Sequence, residues 1–173
     1  YNIPANMYAA VVLDYMVEIA DKVWQDEVFR AGAAALGRDI RAGIEKYGTV
    51  EDTEFGEMYA YEVDGLGHQL LMDDAGVPDY GYCDKNDPIY RSTRRFALSP
   101  RNPFFFAGKA LSGLGSPHTK PDFVWPMSII MQGFTVQPGE NLYALIEMIA
   151  PAMSMRAFIR MIPLAIPAPG LLG

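Results

Sequence analysis

The chain has 173 residues, is 50% hydrophobic and carries a net charge of -7. This length and apolar content supply one domain with a real core and exclude a disordered tail. The acidic balance argues against nucleic acid as a partner, which needs a stripe of Lys and Arg, and the single cysteine, Cys83, excludes an internal disulfide or an all-cysteine zinc site.

The opening, YNIPANM, has neither an initiator Met nor a charged-then-apolar leader. It reads as the interior of a longer protein without a signal peptide; localisation stays open, with the lone cysteine leaning towards the cytoplasm. From Asn6 to Asp26, Val12, Met16, Ile19 and Val23 recur at helical spacing, while Asp14, Glu18, Asp21 and Gln25 keep the same rhythm on another face. Asn6, after Pro4, reads as the N-cap. A second helix is predicted from about Glu27 to Tyr47, with Leu36, Ile40, Ile44 and Tyr47 as its apolar stripe and Gly48 as its stop. One long bent helix or an antiparallel pair would fit, and the narrow stripe favours the pair.

The middle changes character. EMYAYEVDG alternates as a short strand, Gly65 and Gly67 supply turns, and QLLMDD is a second short piece, extended or helical. The flanks of Cys83, GYCDKND, are acidic and raise a thiol pKa, so the residue reads as buried or idle. Asp87 followed by Pro88 opens a helix, on which Arg91, Arg94 and Arg95 share one solvated or carboxylate-paired face. The stretch SPRNPFFFAGKALSGLGSPHTKPD is too rich in Gly and Pro for regular structure and reads as a long functional loop. Helical signal returns at WPMSIIMQGF and GENLYALIEMIA. Beyond Glu147, the last acid, the only charges are Arg156 and Arg160, and Pro151, Pro163, Pro167 and Pro169 interrupt the segment. That pattern excludes a membrane span there and leaves no amphipathic period.

Chemistry concentrates in two loops. Asp73 and Asp74 are adjacent, so their side chains diverge, whereas the acid and base of a glycosidase must flank one bond. Either one of them grips a sugar hydroxyl while the other caps the turn, or both cap or face water. His118 lies on the Gly/Pro-rich loop, where its ring could reach a ligand or solvent; His68 sits beside Gly67 in a turn. Two distant histidines make no zinc pattern, DKND lacks the glycine and terminal Glu of a calcium loop, and no nucleophile elbow, phosphate loop or dinucleotide fingerprint is present. A content of 12% Phe, Trp and Tyr in an acidic chain suits a neutral polar ligand such as sugar.

The runs IPANM, YAYEVDGLGHQLLMDDAGVP, GYCDKNDPIYRSTRRFALS, NPFFFAGKALSGLGSPHT and WPMSIIMQG, collinear between Tyr1 and about Glu147, resemble glycoside hydrolase family 125, the metal-independent exo-α-1,6-mannosidases. The resemblance implies a mainly α fold, part of an (α/α)6 barrel with short strands and long site loops, incomplete over this chain. It implies an inverting hydrolase without metal or cofactor that releases terminal mannose, with a mannose-containing oligosaccharide as partner and neither nucleic acid nor membrane. Asp73, Asp74 and His118 become the expected sugar contacts.

The same resemblance marks departures. The family's general acid, an Asp, is expected before Tyr1, and its base, a Glu in a His-Glu-Ser-Phe stretch, is missing after the MQG run. Family members carry Asn where Gly76 stands and a longer segment between VP and GYCD. No catalytic residue is therefore assigned within the chain, which is expected to be inactive alone. Reading the codons of Ala152 to Gly173 from the third base of the Ala152 codon permits xEHESFHPDDPARYTRPWFAW, where x is His, Asn, Asp or Tyr; this line contains the base motif. We therefore expect a partial glycoside hydrolase domain over 1–147 and an out-of-frame or non-native tail over 148–173. A non-catalytic helical sugar-binding or interaction module that inherited the fold is the alternative.

Overall fold

The computed structural model describes residues 1–63, 69–71, 81–108, 111–115, 120 and 123–152, the backbone alone for 69–71 and 151–152. The first helix, α1 (Ile3–Ile19), starts at Asn2, whose Oδ1 accepts the Ala5 N–H at 2.9 Å. Pro4 sits in the first turn, where a missing N–H costs nothing. The cap is thus Asn2 and not Asn6, which lies inside the helix and donates its side-chain amide to the Asn2 carbonyl at 2.7 Å.

A π-helical turn, Ala20–Trp24, continues α1 and ends at Gln25, whose φ of 52° is left-handed. That conformation costs a non-glycine residue about 1 kcal/mol, and it turns the chain so that Asp26 can cap α2 (Glu27–Tyr47), accepting the Phe29 N–H at 2.9 Å. The two helices form the expected antiparallel pair: Gly37 faces Leu13, Arg41 pairs with Asp14, and Ile44 shares a core cluster with Met7. A Cβ added at Gly37 would lie 3.6 Å from the Leu13 Cβ, so small residues let the helices approach. Gly48 ends α2 as expected; its N–H donates to the Ile44 carbonyl at 2.7 Å, and a Cβ there would sit 2.7 Å from the same oxygen.

The buried faces coincide only in part with the stripes expected from the sequence: Ile44 is buried and Ile40 packs on the core cluster, as expected, but the rest differ. Helix α1 buries Ile3, Met7, Ala10 and Val11, and α2 buries Ala33, Gly37 and Ile44, whereas Ile19, Val23, Leu36 and Tyr47 are exposed. Both helices are apolar over more of their circumference than their described neighbours cover. The segment Ile3–Trp24, 22 residues with a mean hydropathy of 1.2, is long and apolar enough to cross a membrane by length and composition, although 28% of that window is buried inside the protein.

Three antiparallel strands follow in the order β1 (Thr49–Asp52), β2 (Gly56–Val63) and β3 (Gln69–Leu71). The sequence reading missed β1, whose Thr and Val are followed by two acids that mask alternation. Its turn is set by the Asp52 carboxylate, which accepts the Glu54 and Phe55 N–H groups at 2.8 and 3.0 Å, and by Gly56 at φ 83°. On β2, the consecutive residues Met58, Tyr59 and Ala60 are all buried, so both faces of the strand are covered. Helix α3 (Pro88–Ala97) packs against it and is tied by the Tyr59 N–H, which donates to Thr93 Oγ1 at 2.8 Å. As expected, Asp87 caps α3 by accepting the Tyr90 N–H at 2.8 Å, with Pro88 at the first helical position.

The stretch expected to be irregular contains a hairpin, β4 (Phe105–Ala107) with β5 (Ser112–Leu114). Its glycines serve close packing: a Cβ at Gly113 would meet Val124 Cγ1 at 3.0 Å, and one at Gly115 would meet Phe106 Cε2 at 2.4 Å. Composition therefore signalled a loop where Val124 and Ile129 lie over Gly113 and the Phe106 ring lies over Gly115. Helices α4 (Pro126–Phe134) and α5 (Leu142–Ala152) complete the described chain and pack together, with Leu142 Cδ1 3.5 Å from the position of a Gly133 Cβ.

Candidate sugar-binding site

Asp73, Asp74 and His118 lie outside the described residues, as do His68, Gly76 and the tail from 153 onwards. The described chain instead defines the roots of the loops that carry the three expected contacts. Upstream of Asp73, β3 ends at Leu71, which pairs with Ala60 of β2. Downstream, Tyr82 sets its ring edge-on to Tyr59 with centroids 6.3 Å apart. The two flanks thus meet neighbouring residues of one buried strand.

The lower root is further fixed by Arg41. Its guanidinium lies 4.9 Å from the Tyr82 ring centroid, pairs with Asp14, and donates to the Tyr82 carbonyl at 3.4 Å. Beside it, Cys83 is half-buried, and burial, then Asp87 and Asp84, push its thiol pKa up to about 12. The acidic flanks act as the sequence suggested, but burial is the larger cause.

The His118 loop is rooted in the same manner. Leu114, at the end of β5, accepts the Trp125 N–H at 2.8 Å, while the Gly115 N–H donates to Phe104 O at 2.8 Å. Further along the chain, Phe123 and Trp125 are 55% and 48% exposed. The sequence reading did not single these residues out, because an aromatic ahead of a helix is as often core.

Another cluster went unrecognised. Arg94, whose side chain is 4% exposed, donates from Nε and Nη2 to the two carboxylate oxygens of Glu140 at 2.9 and 2.8 Å, and from Nη1 to Tyr90 Oη and Thr135 Oγ1 at 3.0 Å each. Burial alone would lower the Arg94 pKa, but these bonds to Glu140 and Tyr90 raise it. Burial likewise pushes Glu140 up, yet the Arg94 pair and the Gln137 N–H hold its carboxyl below the ordinary value. Arg94 is therefore carboxylate-paired, as one of the two readings of its face had it. No local signal names Glu140 as the partner, since the pair is 46 residues apart. Among the described residues, no three of His, Cys, Asp and Glu come together to hold a metal ion.

Comparison with known proteins places this arrangement. The family model for metal-independent alpha-mannosidase (GH125) matches residues 1–161, past the boundary suggested at Glu147. The Meiotically up-regulated gene 157 protein of Schizosaccharomyces pombe is 36% identical over 156 residues, which cover 86% of this chain and 30% of the yeast protein. A Streptococcus pneumoniae metal-independent α-mannosidase, solved in a non-productive complex with α-1,6-mannobiose, is 36% identical with a TM-score of 0.82, over 88% of this chain and 38% of its own. The chain thus spans between 30% and 38% of the length of these relatives. Mainly helical with few short strands, it forms part of an (α/α)6 barrel, in agreement with the sequence reading. A family match over most of the chain and a superposable structure at this identity lead to one conclusion: the chain belongs to GH125, the metal-independent α-mannosidases.

Proposed function

We propose that the chain is the sugar-gripping part of an inverting exo-α-1,6-mannosidase and that it is catalytically silent by itself. One observation carries this reading: the likeness to a pneumococcal enzyme whose structure holds α-1,6-mannobiose, at 36% identity. Inversion needs an acid that protonates the leaving oxygen and a base that activates water, roughly 6.5 to 9.5 Å apart. In this reading Asp73, Asp74 and His118 hydrogen-bond sugar hydroxyls from their rooted loops, and Phe123 and Trp125 face the apolar side of a sugar ring. The acid precedes Tyr1 in the parent, and the base lies in the alternative frame of the segment after Glu147.

Three measurements test the proposal. Purified chain incubated with α-1,6-mannobiose releases no mannose; turnover refutes its silence. The parent enzyme, followed by NMR, releases β-mannose first; α-mannose as the initial product refutes inversion. In that parent, Asp73→Asn, Asp74→Asn and His118→Ala each raise KM about tenfold, the loss of roughly 1.4 kcal/mol expected for a hydrogen bond to substrate. The reading frame is tested on the DNA between the codons for Tyr143 and Gly173, because the family match itself continues to residue 161. A gene in which no single frame change restores the base motif refutes the out-of-frame tail.

A further inference from the structure

Helix α3 and the turn between α4 and α5 border an open cleft of about 680 Å³ whose lining includes Arg91, Ser92, Arg94, Arg95, Gln137 and Glu140. Its size falls within the range of small-molecule sites. Its charge runs against the rest of the chain, which carries -7 overall. Glu140 is committed to Arg94 through both oxygens and also accepts the Gln137 N–H at 3.0 Å. Of the nearby acids, Asp52 and Glu54 pair with Arg101, and Asp87 caps α3.

Neither Arg91 nor Arg95 forms an ion pair with a carboxylate of the described residues. Arg95 donates only to the Phe55 carbonyl at 2.9 Å and to Ser92 Oγ at 3.4 Å, and Arg91 has no partner among the described residues. These two exposed guanidinium groups stand four residues apart on one helix, an arrangement that repels by about 0.2–0.5 kcal/mol unless an anion lies between them. Buried Tyr90, Thr93 and Phe96 fix the backbone that carries them. Gln137, 7% exposed, belongs to the same lining, and its Oε1 is sealed from solvent.

The geometry points to a second ligand site here, for the phosphate or carboxylate group of a small anion. The forks of Arg91 and Arg95 hold the oxyanion. The site does not depend on the mannosidase reading. It is tested by titrating the chain, at fixed ionic strength, with inorganic phosphate, mannose 6-phosphate, gluconate and mannose, following binding by calorimetry. Saturable binding of the three anions is expected, weakened at least tenfold in Arg91→Ser/Arg95→Ser, whose thermal melt matches the parent chain because both side chains are exposed. Tighter binding of either phosphate or gluconate identifies the oxyanion. Absence of saturable anion binding, or equal affinity in the double arginine variant, overturns the site. Mannose binding, where it occurs, is unaffected by the arginine substitutions; its loss with them also overturns the assignment, since it would place sugar recognition in this cleft.

Discussion

The Arg94–Glu140 pair is unequal in a way that predicts the outcome of its disruption. The Arg94 side chain is 4% exposed and that of Glu140 34%, so removing the acid strands a charge out of water, while removing the base leaves a carboxylate that can turn to solvent. Glu140→Ala leaves the guanidinium with only Tyr90 Oη and Thr135 Oγ1 as partners, and should cost about 3–4 kcal/mol, near the lower end for breaking a buried pair. Arg94→Met removes four hydrogen bonds but fills much of the same volume, and Glu140 Oε2 keeps the Gln137 N–H. We expect about 1–2 kcal/mol for it. The double variant Arg94→Met/Glu140→Leu should lie within about 1 kcal/mol of the parent chain, because no charge is left buried. Urea unfolding at pH 7, followed by circular dichroism, measures all three. Arg94→Met costing as much as Glu140→Ala, or the double variant costing the sum of the singles, would refute the argument from unequal burial.

The same pair sets an acid limb. Because the Glu140 carboxyl is held below its ordinary value of 4.5, its contribution is intact above that pH and is lost as pH falls through the lower folded value; Glu140→Gln should flatten the fall in urea midpoint between about pH 5 and 3. At the hairpin, Gly115→Ala would put a Cβ 2.4 Å from Phe106 and 2.5 Å from the Phe123 carbonyl, and should cost about 1–3 kcal/mol. Gly32→Ala in α2, with nothing within 4 Å of the added carbon, should instead gain about 0.5–1 kcal/mol, so thermal melts of the two variants move in opposite directions. Cys83, its thiol pushed up to about 12, should react with iodoacetamide at pH 8 roughly a hundredfold more slowly in the folded chain than in urea; equal rates would mean the thiol is not shielded.

Features that depend on a few consecutive residues were legible in the sequence. Asp87 before Pro88 marked α3, Gly48 marked the end of α2, and the alternation of EMYAYEVDG marked β2. Failures arose where distant packing decides. Asn6 looked like a cap because it follows Pro4, but the bridge between Asn2 and Glu62 and the Val63 N–H on Tyr1 O hold the chain extended just ahead, so the helix begins earlier. Gly113 and Gly115 looked like breakers, although each is needed where another part of the chain comes close. The break between α1 and α2 carries no Gly or Pro at all; Gln25 accepts the left-handed conformation that those residues usually supply.

The exposed stripes show what periodicity measures. Val12, Met16, Ile19 and Val23 do recur at helical spacing, yet Val23 is 70% exposed, while Met7 and Ala10, on the opposite arc, are fully buried. A helix with apolar residues on two arcs is built to be covered on two sides, and α2 with β2 supplies only one cover among the described residues. The period was therefore real, and the error lay in assuming a single buried face. A site assembled from loops obeys the same logic at longer range. Leu71 and Tyr82 are brought together only by β2, and Leu114 meets Trp125 only because a hairpin precedes it. Neither closure can be read from the residues it delivers.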